Sequence, residues 1–258
     1  MQSISRVCVI AHGRADVAGA RTQVERLAKD HGIELVEDSP DLAVVLGGDG
    51  TMLRALKRFL GTGVPVIGVN YGRVGFLASM EREDLEQGLA RAFGGGFEVV
   101  ELPTLEAEVG GARYPAVNDV LAVSGSLGRM IELRWAIAGE DLGNVPCDGL
   151  IASTPSGSTA YNLSNGGPVL VWGLDAMAVT FVAPHSLHAR PFVVPRNRDL
   201  EVTNLTGDVE VALLADGHQV GSIGEGESVS VRLAEPVSLL ATLPESTFFK
   251  RYRDTFAS

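Results

Sequence analysis

Basic charge, cysteine and long apolar runs are scarce in this chain of 258 residues. Lys and Arg total 21 against 32 Asp and Glu, a formal net charge of −11. That balance gives no electrostatic footprint for nucleic acid or for an anionic membrane leaflet, so neither is expected as a partner. The two cysteines, Cys8 and Cys147, lie far apart. They offer no disulfide framework and no zinc spacing, so no bound metal is expected and a reducing cytoplasm is the natural compartment. No run of 18 apolar residues occurs. The most apolar stretch, 168–184, is interrupted by Gly173 and Asp175 and reads as buried strand, not as a membrane span. The N-terminus, MQSISRVCVIAHGR, has no basic segment before a long apolar one, so no signal peptide is expected. Neither G-x-G-x-x-G nor G-x-x-x-x-G-K-[ST] is present, which sets aside the common dinucleotide and Walker-type phosphate loops. G-x-S-x-G is absent too, and Ser158 has no His–Asp partnership, so hydrolase chemistry is weakly supported.

What remains is an ordinary globular composition, 45% hydrophobic and 21% charged, long enough for one large domain or two small ones. The first part alternates two periods. RVCVIA (6–11), Ile33–Val36, LAVVL (42–46) and PVIGV (65–69) read as buried strands. Between them, Val24, Leu27, Ala28 and His31 mark one helical face, and Met52, Leu53, Leu56, Phe59 and Leu60 another; 83–93 reads as a third helix. Apolar strands alternating with helices predict a parallel sheet covered by helices. Gly94-Gly95-Gly96 then breaks the pattern. From Phe97 on, FEVVEL, LEAEV, ELRWAIAG, AVTFVA, DLEVTN, DVEVALLA, ESVSVRLA and VSLLATL read as closely spaced strands, with one helical island at Ser156–Ser164. The expected division is an α/β domain over 1–96, a mainly-β domain over 97–243, and a tail over 244–258 that folds back on the first domain.

The sharpest local feature is Gly47-Gly48-Asp49-Gly50-Thr51, set between the strand LAVVL and the helix TMLRALKRFL. A glycine-rich strand-to-helix turn presents free backbone N–H groups and the positive end of a helix dipole, which suit phosphate. Gly47, Gly48, Gly50 and Thr51 are therefore candidates for a phosphate cradle. The carboxylate of Asp49 would repel phosphate unless it has a task, such as orienting or deprotonating a hydroxyl nucleophile. A second dense feature is Ser153-Thr154-Pro155-Ser156-Gly157-Ser158-Thr159-Ala160-Tyr161. Its hydroxyls can bind an adenine edge and a ribose, although some serve as helix caps.

Taken together these motifs resemble the NAD kinase family. GGDGT is shared with the diacylglycerol and sphingosine lipid kinases. Asn70-Tyr71-Gly72-Arg73-Val74-Gly75-Phe76-Leu77, Asn118-Asp119, Asp148-Gly149, the STPSGSTAY block, Gly166-Gly167-Pro168, Pro184-His185-Ser186-Leu187, Arg190-Pro191 and Asp216-Gly217 are similar to NAD kinases specifically. The resemblance implies phosphoryl transfer from ATP or polyphosphate, with Mg2+ carried on the donor phosphates, to the adenosine-ribose 2′-hydroxyl of NAD. It implies that Asp49 serves that hydroxyl and that the β domain supplies most of the NAD pocket. Ser156, Thr159, Ala160 and Tyr161 would line that pocket, together with Asn70. Phe76 would pack near the adenine, Asn118 and Asp119 would reach the ribose, and Asp148 and His185 would lie toward the nicotinamide. It also implies a homodimer or homotetramer. Asp119 stands where the family usually has Glu, one methylene shorter. A lipid kinase has no use for the STPSGSTAY block, and a silent dinucleotide sensor could dispense with Asp49.

Overall fold

In a computed structural model of the chain, residues 4–11, 15–72, 75–186 and 189–256 are described. Arg73 and Val74 of the N-x-G-x-x-G-F-L segment, and Leu187 with its neighbour His188, lie outside the described residues. The chain divides into two compact units. One comprises Met1–Glu101 with Ser238–Ser258, the other Leu102–Val237.

The first unit is built on β1 (Arg6–Ala11), β2 (Glu34–Leu35), β3 (Leu42–Gly47), β4 (Val66–Asn70), β5 (Met80–Glu81) and β6 (Glu98–Leu102). They form one seven-stranded sheet with Ser238–Thr242, in the order β2-β1-β3-β4-(238–242)-β6, with β5 also paired to β4. β1, β3 and β4 are parallel neighbours, and every residue of β3 and β4 is buried, as central strands of a parallel sheet require. Helices α1 (Ala15–Asp30), α2 (Asp49–Arg58) and α3 (Leu85–Phe93) follow the apolar spacing, and the C-terminal helix is Phe248–Phe256. Val24, Leu27 and Ala28 of α1 join Leu42, Val44, Leu46, Ile67, Leu85, Leu89 and Ala241 in one core.

The second unit holds two six-stranded antiparallel sheets. In one, Gly149–Ser153 is central, flanked by Asp119–Ser124 and Ala176–Val182. Leu105, Leu133, Trp135, Leu150, Val179 and Phe181 belong to a single core fed from both sheets. The apolar stretch 168–184 contributes one buried strand, Ala176–Val182.

The division expected from the sequence is corrected at both ends. The glycine triplet does not close the first unit, because Glu98–Leu102 adds a strand to its sheet. Ser238–Thr242, read as part of the β domain, lies between β4 and β6, with Leu240 paired to Val66. A glycine cluster marks a turn, but which sheet the next strand joins is decided by tertiary pairing. Leu240 and Ala241 are fully buried in their strand, which has the apolar character of an interior position.

Candidate active site

β3 and β4 run parallel with Gly47 opposite Asn70, so the loops after both strands leave the same edge of the sheet. This is the carboxyl end of parallel strands, where open α/β sheets bind ligands. The two loops approach closely. A Cβ on Gly72 would come within 3.1 Å of the Gly48 Cα, and one on Gly47 within 2.5 Å of the Thr51 Oγ1. Gly48 is extended, with φ −94° and ψ −174°, and the chain enters α2 at Asp49. The Thr51 and Met52 N–H groups already donate to the Gly48 carbonyl at 2.9 and 3.1 Å, so the positive end of α2 is carried by the amides of Asp49 and Gly50 ahead of them, while Lys57 and Arg58 complement the other end of its dipole.

Asp49 does not point away from this loop. Its Oδ2 accepts the Phe76 N–H at 2.8 Å, and its Oδ1 the Leu77 N–H at 3.1 Å. Burial raises its pKa from the ordinary aspartate value, against the opposing pull of the two amides and of the Arg251 guanidinium. Each carboxylate oxygen keeps a second lone pair for a further donor. Asn70 is equally committed. Its Nδ2 donates to both Glu81 carboxylate oxygens at 3.2 and 3.1 Å, and its Oδ1 accepts the Gly72 N–H at 2.9 Å. The parallel pairing of Asn70 with Glu81 sets up that contact. Beside the loop lies a cavity of about 510 Å³, lined among others by Asn70, Gly72, Ser79, Glu81, Lys250 and Arg251. The Phe76 ring meets Phe248 edge-on at 5.4 Å and lies 6.1 Å from Phe256.

In the second unit three strand ends converge. Ser153 pairs with Asp119, and Ala215 with Val120, so the Thr154 turn, the Asn118-Asp119 pair and Asp216 meet at one edge. Asp216 sits at φ 51° and turns its carboxylate onto the amides of Val117, Asn118 and Asp119, at 3.0, 2.7 and 3.4 Å. Asn118 Oδ1 accepts the Ser156 hydroxyl at 3.2 Å, and Thr154 Oγ1 donates to the Val117 carbonyl at 2.7 Å. Asp119 is buried. That burial, with the Asp216 charge second, pushes its carboxyl up to about 7.

The hydroxyls of the STPSGSTAY block divide into two kinds. Thr154, Ser158 and Thr159 bond backbone carbonyls of their own fold, and Ser158 also accepts the Leu170 N–H at 2.9 Å. Ser156 bonds a site side chain, and Tyr161 stands 43% exposed at the start of a short helix. Ala160 and Thr159 are half-buried beside it, and Asp148 and His185 are exposed. The structure thus brings Asp49 and Thr51 together with the Gly48/Gly72 loops, Asn70 and Phe76 in one unit. It brings Asn118, Asp119 and Ser156 together in the other. Three participants were not read from the sequence: Arg251, Glu81 and the bracing role of Asp216. The Asp216-Gly217 match and the expectation that the tail 244–258 folds back on the first domain pointed to these regions, but neither fixed a partner.

Residues 11–97 match the family model of the ATP-NAD kinase N-terminal domain, and residues 117–240 that of the ATP-NAD kinase C-terminal domain. The NAD kinase of Heliobacterium modesticaldum is 40% identical over 219 residues, covering 83% of this chain and 77% of the relative. That of Nitratidesulfovibrio vulgaris is 36% identical, covering 98% and 95%. Among solved structures, an NAD kinase from Archaeoglobus fulgidus in complex with ATP superposes with a TM-score of 0.81 at 26% identity, covering 98% of this chain and 97% of that one. Yeast NADH kinase complexed with NADH shares the fold, with a TM-score of 0.85 at 20% identity over 100% of this chain and 88% of that one. With both domain models matched over most of its length, this chain belongs to the NAD kinase family, whose members transfer a phosphoryl group to NAD and make NADP.

Proposed function

We propose that Asp49 is the general base toward the adenosine-ribose 2′-hydroxyl of NAD. The donor phosphates rest on Gly47, Gly48, Gly50, Thr51 and the first turn of α2. NAD is held by Asn118, Asp119, Ser156, Thr159, Ala160 and Tyr161, with Asp148 and His185 toward the nicotinamide. Asn70 and Phe76 also meet NAD, Phe76 near the adenine, and both belong to the loop whose amides hold Asp49. The carrying observation is the Asp49 carboxylate, fixed by two backbone N–H groups at the head of a helix. Burial raises its affinity for a proton, which brings a carboxylate closer to what a base working near neutral pH needs.

The donor is ATP on this reading, supported by the ATP complex of the Archaeoglobus fulgidus relative. A matrix of ATP and polyphosphate against NAD and NADH, with 2′-phosphorylated product read out, tests that choice. Magnesium enters as part of the donor substrate. The Asp49 carboxylate beside the phosphate loop suits an ion arriving on the phosphates. Mg2+ supplies neutralisation of charge on the transferring group, and the chain supplies positioning. Among the described residues no helix is long and apolar enough to cross a membrane. The cysteines are buried and unpaired, which supports a reducing cytoplasm as the compartment, and the family resemblance supports a homo-oligomer.

Loss of a positioned base lowers turnover by roughly 10²–10⁴-fold. Asp49→Asn is therefore expected to lose at least two decades of kcat while calorimetry still records NAD binding near the parent affinity. Turnover within threefold of the parent would remove Asp49 from the chemistry.

A further inference from the structure

Arg251 is the side chain that the proposed reaction leaves unexplained. It is 8% exposed and comes from the C-terminal helix, far in sequence from every motif. Its guanidinium is spent on a single stretch of backbone and its supports. Nη1 donates to the carbonyls of Phe76, at 2.9 Å, and of Ala78. Nη2 donates to Ser79 Oγ at 3.3 Å and Thr242 Oγ1 at 2.9 Å, and Nε to the Ser246 carbonyl at 3.0 Å. The Phe76 carbonyl and the Leu77 N–H belong to one peptide plane. Arg251 holds that plane by its oxygen, and Asp49 accepts from its nitrogen at 3.1 Å. A donor on the carbonyl aligns the amide and polarises its N–H toward the acceptor beyond. Two further bonds of Arg251 pin Ala78 and Ser79, just after that peptide, and two tie it to Thr242 and Ser246.

We propose that Arg251 is a positioning residue for Asp49, acting through the Phe76–Leu77 peptide. The proposal rests on the reading of Asp49 as base. A buried guanidinium with five acceptors also stabilises the fold, so the two roles must be separated. The charge of Arg251 supplies the separation, because it acts on Asp49 and lowers its pKa. Burial lowers the pKa of Arg251 itself to about 10, so it stays a cation at neutral pH. The other charged groups near these elements are engaged with each other: Lys250 with Asp254 at 3.2 Å on the same helix, and Arg91 of α3 with Glu245 at 2.6 Å. Glu81 of β5 takes the Asn70 amide. On α2, Arg54 reaches Thr51 Oγ1 at 3.5 Å.

The experiment compares Arg251→Met, Arg251→Lys and Asp49→Asn in the full chain. It records kcat, NAD KM, the pH profile of kcat and the thermal midpoint. Misplacing a catalytic group by about an ångström can lower turnover roughly 10²-fold, so Arg251→Met is expected to lose about ten- to a hundredfold in kcat. Its NAD KM stays within twofold, and its acid limb moves to higher pH because the carboxylate has lost a cation. Arg251→Lys keeps the charge without the fork; it returns the acid limb to the parent position and recovers part of kcat. A folded Arg251→Met with a lower midpoint but the parent acid limb overturns the proposal and leaves a structural residue. Should Arg251→Met fail to fold, Arg251→Lys decides: reduced kcat at parent NAD KM supports positioning, and parent kcat overturns it. Asp49→Asn keeps the two claims apart, since turnover in that variant sinks the base itself, whatever Arg251 does.

Discussion

At Asp119 the fold keeps a carboxyl where its charge is disfavoured. The residue is 6% exposed. Asp216 nearby has its own carboxylate turned onto three amides. The native carboxyl therefore keeps its proton up to about pH 7, against an ordinary value of 3.8. Between those values the native state binds more protons than the unfolded chain, so stability falls as pH rises through the window and the loss is complete above it. At about 1.4 kcal/mol for each pH unit of that window, the loss reaches about 4 kcal/mol at most. Asp119→Asn carries no such charge. Denaturant unfolding is expected to show the variant gaining on the parent by one or more kcal/mol at pH 8 relative to pH 4; an equal difference at the two pH values would refute the account. The Asp-for-Glu departure is visible in the sequence. What makes it matter is burial first and the Asp216 charge second, and Asp216, 97 residues away, is supplied only by strand pairing.

Glycines show how much of an element its sequence explains. A Cβ on Gly157 would lie 2.1 Å from the Asn118 carbonyl oxygen, so glycine is required there by the fold itself. Gly157→Ala is expected to push the 3-10 turn off the Asn118 strand end and destabilise by roughly 2–4 kcal/mol, measured by denaturation. Gly50 is different. It lies within the first turn of α2, with no described atom within 4 Å of an added Cβ. Nothing in the fold asks for glycine at that position, and alanine would gain up to about 1 kcal/mol of helix propensity. The expected outcome for Gly50→Ala is a thermal midpoint at or above the parent together with a donor KM raised at least fivefold, because the methyl occupies the phosphate approach. A donor KM unchanged alongside the higher midpoint would release Gly50 from the cradle. The pattern GGDGT cannot separate these two uses of glycine, since it records only that the Cβ is missing.

On the scale of the whole molecule, the first unit is discontinuous and the second is one unbroken segment. The ends of that segment meet. Thr104 Oγ1 donates to the Pro236 carbonyl at 2.6 Å, the Ala234 N–H donates to the Thr104 carbonyl at 2.8 Å, and Leu105 pairs with Leu233. Excised as 102–237, this piece keeps both sheets and its own core, and is expected to unfold cooperatively in urea. The fragment 1–101 lacks the strand between β4 and β6 and the helix that carries Arg251, and is expected to show no cooperative transition. A cooperative 1–101, or a 102–237 without a transition, would contradict this division.

Local chemistry is what the amino-acid sequence determined unaided. Runs such as LAVVL and PVIGV, and the spacing of Val24, Leu27 and Ala28, announced buried strands and an amphipathic helix, because their signal lies within a few neighbouring residues. GGDGT between strand and helix announced a phosphate loop holding a carboxylate for the same reason. Strands without a continuous apolar run, such as Glu140–Cys147 and His218–Ile223, were not announced; they are sheet edges, the first mostly exposed and the second mostly half-buried, whose hydrogen bonds come from partners elsewhere in the chain. Tertiary structure alone decided that Ser238–Thr242 completes the first sheet, that Asp216 braces Asn118 and Asp119, and that Arg251 holds the peptide on which Asp49 rests. Each of these joins residues about a hundred or more positions apart, and contacts of that range are fixed by the free energy of the assembled core, which no local window of sequence contains.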